Sequence, residues 1–152
     1  MTVAYSIERK IEDAVAGLAA VNAEIVELAA TVKTSWEQDK TVKALAVVIR
    51  CDAPANENLG ATGGGAYWRA ELRCVSSASI AADKTLDNLD KLHGAAQRFL
   101  KALTVSGLNT ALTSSGVTVH GITGTEQPGE DVDETRDRLL RSSAIMLHYS
   151  VS

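Results

Sequence analysis

The side chains that could do chemistry are few and lie far apart. The chain has three histidines, His93, His120 and His148, and two cysteines, Cys51 and Cys74. Nucleophilic catalysis needs a nucleophile with a base in reach, and acid–base catalysis needs groups poised by their neighbours. None of these five residues stands in a nucleophile elbow, a zincin helix or a CxxC pair. His93 falls beside an apolar helical stripe and reads as a structural histidine. Cys51 and Cys74 fall in adjacent expected strands, which leaves open both a cross-strand pair and two free buried thiols.

Two further stretches invite a chemical reading. Glu126, Glu130, Asp131, Asp133, Glu134 and Asp137 are opposed locally by Arg136 alone. That density suggests a cation site, but the EF-hand spacing is absent, and a charge run is commonly just a solvated surface. Gly63, Gly64 and Gly65 suggest a phosphate cradle. Such a cradle needs Lys and Ser/Thr after its last glycine and a helix start there, whereas Ala66, Tyr67 and Trp68 open a strand. The expectation is therefore no catalytic residue, no cofactor, no metal and no enzymatic activity.

The elements that position these residues come from periodicity. The chain of 152 residues suits one domain, 1–152, with a real core. At net charge −4 it has no electrostatic reason to grip nucleic acid strongly. No apolar run approaches the roughly 20 residues of a membrane span, the first residues lack signal-peptide order, and the isolated cysteines suggest a reducing compartment.

Residues 67–75 alternate: Trp68, Ala70, Leu72 and Cys74 point one way, and Tyr67, Arg69, Glu71 and Arg73 the other. Residues 85–103 carry Leu89, Leu92, Ala96, Phe99 and Leu103 at steps of three and four, one stripe of a helix capped by Asp83 or Thr85. A first helix starts at Ser6 and carries Ile7, Ile11, Ala14, Leu18, Val21, Ile25, Leu28 and Val32 as a heptad seam. A second row, Val15, Ala19, Val26 and Ala30, widens it, either as the back of a core helix or as an intersubunit contact. Trp36 reads as a plug over the core rim. Strands follow at 44–51, 117–122 and Arg138–Val151, with a short helix or turn at 106–116 and long loops at 52–66 and 123–136. The strand at 44–51 is apolar on both faces and reads as an inner strand or one covered on both sides.

The order is helix, strand, strand, helix, strand, strand. It gives an α+β fold, a four-stranded mixed sheet with two main helices packed on it. The first two and last two strands pair as antiparallel hairpins, and the crossover helix makes the second and third run the same way. The two long loops then leave opposite ends of the sheet.

Several patterns together carry a resemblance. These are the apolar strand Ala-Leu-Ala-Val-Val-Ile-Arg, the strand opening Tyr67-Trp68-Arg69-Ala70-Glu71-Leu72, the helix opening Leu86-Asp87-Asn88-Leu89, and the closing strand from Arg141 to Val151. In element order the chain resembles the tail terminator (minor tail protein U-like) and tail-completion proteins of tailed bacteriophages. The resemblance implies a virion protein of the neck or tail, assembled in the host cytoplasm. It implies a homo-oligomeric ring, usually a hexamer, that contacts the tail tube protein and the head connector protein. DNA would pass its lumen without sequence-specific binding, and no membrane is involved.

In such a ring several residues become interface candidates. Val15 and Val26 lie on the second row of the first helix. Gly63, Gly64 and Gly65 lie in an arm that orders on meeting a partner. Arg69, Glu71 and Arg73 form a seam in which the arginines pair with a neighbour's acids. Glu130, Asp131 and Asp133 lie at the lumen or on a ring face. The alternatives are another virion component, such as a head–tail connector or tail tube protein, or a small ligand-binding α+β domain with a closed pocket between sheet and helices near Cys51, Cys74 and His120.

Overall fold

A computed structural model describes residues 3–37, 40–52, 58–59, 67–81, 84–124, 129–133 and 138–152, with backbone alone at 58–59, 67 and 129–133. In chain order the elements are α1 (Ile7–Ala20), α2 (Ala23–Glu27), β1 (Thr31–Thr34), β2 (Leu45–Asp52), β3 (Asn58–Leu59), β4 (Tyr67–Ser79), α3 (Thr85–Ala102), α4 (Val105–Ala111), β5 (Val117–Gly124), β6 (Gly129–Asp133) and β7 (Arg138–Val151). The sheet runs β1-β2-β4-β7-β5, with β3 added to β4 and β6 to β7. The fold is α+β with a mixed sheet of five main strands, one more than the sequence pattern shows.

The extra strand comes from the first helix, which is not continuous. The periodicity predicts an unbroken helix through Val32. Instead α1 stops at Ala20, and the Asn22 side chain accepts the Glu24 and Ile25 amides at 3.2 Å, starting α2 afresh. An asparagine at that place satisfies two amides that have no helical partner. Ala29, at φ 53, then turns the chain, and Thr31–Thr34 pairs parallel with β2. Val32 belongs to that strand, not to a helical seam.

The predicted pairings hold. β2–β4 and β5–β7 are antiparallel, and β4 and β5 run the same way with β7 between them. β2 ends level with Glu71 and β5 level with Leu72, so the segments expected as loops at 52–66 and 123–136 leave from nearly one level rather than from opposite ends; they also carry β3 and β6, and they lead back into the sheet at its two ends, the start of β4 and the start of β7. β7 runs from Arg138 to Val151 as expected, and β4 continues four residues beyond the expected Val75, to Ser79. α3 also matches, but its N-cap is Lys84 in the left-handed region at φ 53, with no side-chain cap bond. Thr85 is instead the first helical residue, and Asp83 lies outside the described residues.

One core lies between the sheet and all four helices. Val47, Ile49 and Cys51 of β2, Leu72 and Cys74 of β4, Leu147 and Tyr149 of β7 and Val119 of β5 face it from below. Ile11, Val15 and Ala19 of α1, Ile25 of α2, Leu92, Ala96 and Phe99 of α3 and Leu108 of α4 close it from above. α1 thus packs on a line at four-residue steps that takes residues from both apolar rows. Val15 is completely buried by it.

At the outer edge, the Asn109 side chain of α4 clasps β5. It donates to the Val119 carbonyl at 2.9 Å and accepts the Val119 amide at 2.7 Å.

Candidate functional site

The alternate residues of the same strands make a second face, and no described helix covers it. It carries Arg69, Glu71, Arg73, Val75 and Ser77 on β4, Ala46, Val48 and Arg50 on β2, and Leu140, Ser142, Ala144 and Met146 on β7, set side by side by the strand register. β2 is an inner strand, as expected, but helices cover only one of its faces.

Across this open face lies a groove of about 590 Å³. Lys33 and Ser35 come from β1 and its end, Val42, Ala46, Val48 and Arg50 from β2 and the segment before it, Val75 and Ser77 from β4, and Arg138 and Leu140 from β7. The floor is apolar, with Val48, Val75 and Leu140 half-buried. Among the described residues the rim is cationic, since Lys33, Arg50 and Arg138 contribute to the lining and no described carboxylate does. Arg138 is built into the wall, donating to the Ser77 hydroxyl at 3.0 Å and the Ala44 carbonyl at 3.0 Å. Lys33 is only 8% exposed, and its ammonium makes a single long bond, 3.5 Å, to the Glu37 carbonyl. Arg50 is exposed and has no hydrogen bond or ion pair among the described residues. Apolar floor and cationic rim together can hold an extended segment that alternates carboxylates with apolar side chains.

The interface residues expected from sequence fare differently. Arg69, Glu71 and Arg73 do share the open face. Arg73, however, already has its partners: its Nε donates to Glu71 at 3.0 Å, a second nitrogen of its guanidinium pairs with the same carboxylate, and Nη1 donates to Ser142 at 2.8 Å. Residues two apart on one strand face lie near enough for that pair, so Arg73 needs no acid from a neighbour. Val15 lies in the core and offers no surface, whereas Val26 is 57% exposed, so the two do not form one contact face. Gly63, Gly64 and Gly65 lie outside the described residues. Glu130, Asp131 and Asp133 belong to β6, whose backbone pairs with β7 at the sheet margin.

The chemical candidates remain apart. Cys51 is opposite Leu72 and Cys74 opposite Ile49, so the thiols are offset by two residues, and both are free and buried. Burial pushes the Cys74 thiol up to about 12, and burial together with the carboxylates of Glu12, Glu8 and Asp52 pushes Cys51 up as well. Such thiols are poor nucleophiles. His120 contacts the Ser150 hydroxyl at 2.7 Å and His148 that of Thr123 at 3.2 Å, both on the exposed side. No cluster of three or more potential metal ligands occurs among the described residues. Of the residues named for a closed pocket, Cys51 and Cys74 lie among packed core side chains, whereas His120 is exposed, so the three do not line one cavity.

Sequence reasoning missed two features. One is the groove, because the first half of its cationic rim, Lys33, sits in a strand hidden by a helix-like pattern. The other is Glu12, a carboxylate only 3% exposed on α1. It accepts the Ser35 amide at 2.8 Å, the Ser35 hydroxyl at 2.7 Å and the Cys51 amide at 3.2 Å. The Cys51 amide is left over where β1 ends, so Glu12 finishes the pairing of β2 in place of a strand. Nearby, Trp36 is not a core plug. It is 43% exposed, donates to Asp13 at 2.9 Å and stacks on the Arg9 guanidinium, which Tyr5 covers from its other side.

No described helix is long and apolar enough to cross a membrane. No protein-family model matches the chain, and no curated protein shows significant similarity to it.

Proposed function

We propose that this chain is the subunit of a homo-oligomeric ring in the neck or tail of a tailed-bacteriophage virion, where it ends the tail tube and joins it to the head connector. The observation that carries the oligomeric part is the open face of the sheet. A two-layer fold leaves one side of a sheet bare, and a bare side with a half-buried apolar centre is suited to contact with another protein surface. The virion part rests on the resemblance of the strand and helix patterns to tail terminator and tail-completion proteins. In this reading the protein acts by shape and contact. DNA crosses the lumen without being held, which the net charge of −4 favours.

Light scattering over a range of concentrations, with and without purified tail tubes, tests the proposal. The expected mass is about six times the 16.0 kDa of one chain, or a cap bound to tube ends. A chain that stays at 16.0 kDa and ignores tubes would sink it. Position along a virion separates the terminator from a connector or tube subunit.

A further inference from the structure

We propose that Glu37 and Lys40 form a strap that closes the β1 margin of the sheet, and that releasing it lets this margin pair with the same margin of a second copy of this chain. The inference needs no ring and is independent of the reading above.

Three observations carry it. The first is where β1 stands. It is the outermost strand in the order β1-β2-β4-β7-β5, and no described strand lies beyond it. The Ser35 amide donates to the Ile49 carbonyl at 3.2 Å, so Thr31, Lys33 and Ser35 bond toward β2. The alternate residues, Val32 and Thr34, turn their amides and carbonyls outward. Outward groups of this kind are a template for another strand.

The second observation is what occupies those groups. The Glu37 carboxylate accepts the Thr34 amide and the Thr34 hydroxyl, each at 3.1 Å. The Glu37 amide donates to the Thr34 carbonyl at 3.3 Å, and the Lys40 ammonium donates to the Val32 carbonyl at 2.8 Å. The Lys40 amide closes the turn on the Glu37 carbonyl at 3.3 Å, and the two side chains pair at 3.4 Å. Burial alone would raise the Glu37 carboxyl, but the bonds from Thr34 and the charge of Lys40 outweigh it and hold the group below its usual range. The carboxylate is therefore charged, and the strap shut, at neutral pH.

The third is that the strap has a separate root. The Ser35 amide and hydroxyl are tied to Glu12 at 2.8 and 2.7 Å, and the Trp36 indole to Asp13 at 2.9 Å. These bonds go to α1, not to the β1 margin. The tip at Glu37 and Lys40 can therefore leave the margin while root and core stay in place. A freed margin is self-complementary, because Val32 and Thr34 each offer a donor and an acceptor. Two such strands pair antiparallel about a two-fold axis.

Two measurements test the strap: exchange of the Thr34 amide by NMR, and mass against concentration by light scattering. They compare the native chain with Glu37→Ala/Lys40→Ala and with Glu37→Gln. In the double alanine chain the Thr34 amide is expected to exchange about tenfold faster, and a species of twice the native mass to appear as concentration rises. Glu37→Gln keeps an oxygen that accepts the Thr34 amide and is expected to stay near the native chain on both counts. The Trp36 indole N–H resonance is expected to stay in place throughout, which separates release of the tip from unfolding. Should the double change unfold the chain, Glu37→Ala alone carries the test by the same two readings. Unchanged exchange would mean that Glu37 and Lys40 do not hold the margin. Faster exchange without added mass would mean that the freed margin does not pair. Either result overturns the proposal.

Discussion

Buried side chains that look alike in sequence have different jobs here. Glu12 ends the pairing of β2, and Lys33 waits at a groove rim, yet each stands in a helix-like pattern among alanines and valines. Their roles depend on which strand ends beside them, and spacing along one segment does not carry that information. The cysteines are the opposite case: the burial of Cys74 follows from alternation in 67–75, and that of Cys51 from an inner strand that is apolar on both faces in its middle. That burial has a pH consequence. An unfolded thiol ionises near its ordinary value of 9.0, while the folded Cys74 does so only at about 12, and Cys51 is shifted in the same direction. The unfolded state therefore sheds protons first, and the thiol contribution to stability is intact below pH 9.0 and lost as pH rises toward the folded value. The melting temperature is expected to fall between about pH 8 and about pH 11, and less steeply in the Cys51→Ala/Cys74→Ala chain. Equal slopes for the two chains, measured by thermal unfolding, would contradict it.

At the level of elements, the long regular segments were legible and the interruptions were not. β7 and α3 follow from unbroken two-residue and three-to-four-residue periods, since nothing local competes with them. The first helix was over-extended because Val21, Ile25, Leu28 and Val32 keep the helical spacing through the break. What ends the helix is backbone chemistry at Asn22 and Ala29, and apolar spacing is blind to it. Ala29 holds φ 53, which an alanine adopts only against steric resistance. It is exposed, so a change there touches no core packing. Ala29→Gly is expected to raise unfolding stability by about 1 kcal/mol in denaturant titration. A loss of stability would mean that the turn between α2 and β1 is not strained. The exposed Glu24–Arg98 pair, 2.8 Å, ties α2 to α3 but contributes little by itself, because water screens both partners.

For the whole molecule, the layer order was readable and the use of its second face was not. Alternation in β4 separates an apolar side from a polar one, but it cannot tell whether helices, water or another chain meets the polar side. The register answers part of this by gathering residues from four strands, distant in sequence, into one groove. The same holds for Arg73, whose pairing with Glu71 removes it from the expected seam.

The clasp of Asn109 on Val119 also matters for the molecule as a whole. A side-chain amide has the same donor and acceptor as a peptide group, so Asn109 stands where the backbone of one more strand would stand. It works as a dummy strand that blocks the outermost register position from copying itself onto a stranger. At the β5 edge, such a block favours growth through side-chain surfaces over extension of the sheet, which is the difference between a countable particle and a fibre. Asn109→Ala would remove that stop. The substituted chain is expected to seed dye-binding fibrous aggregates on prolonged incubation under conditions where the native chain stays clear, and equal clarity of the two in a thioflavin assay would show that the edge is guarded by other means.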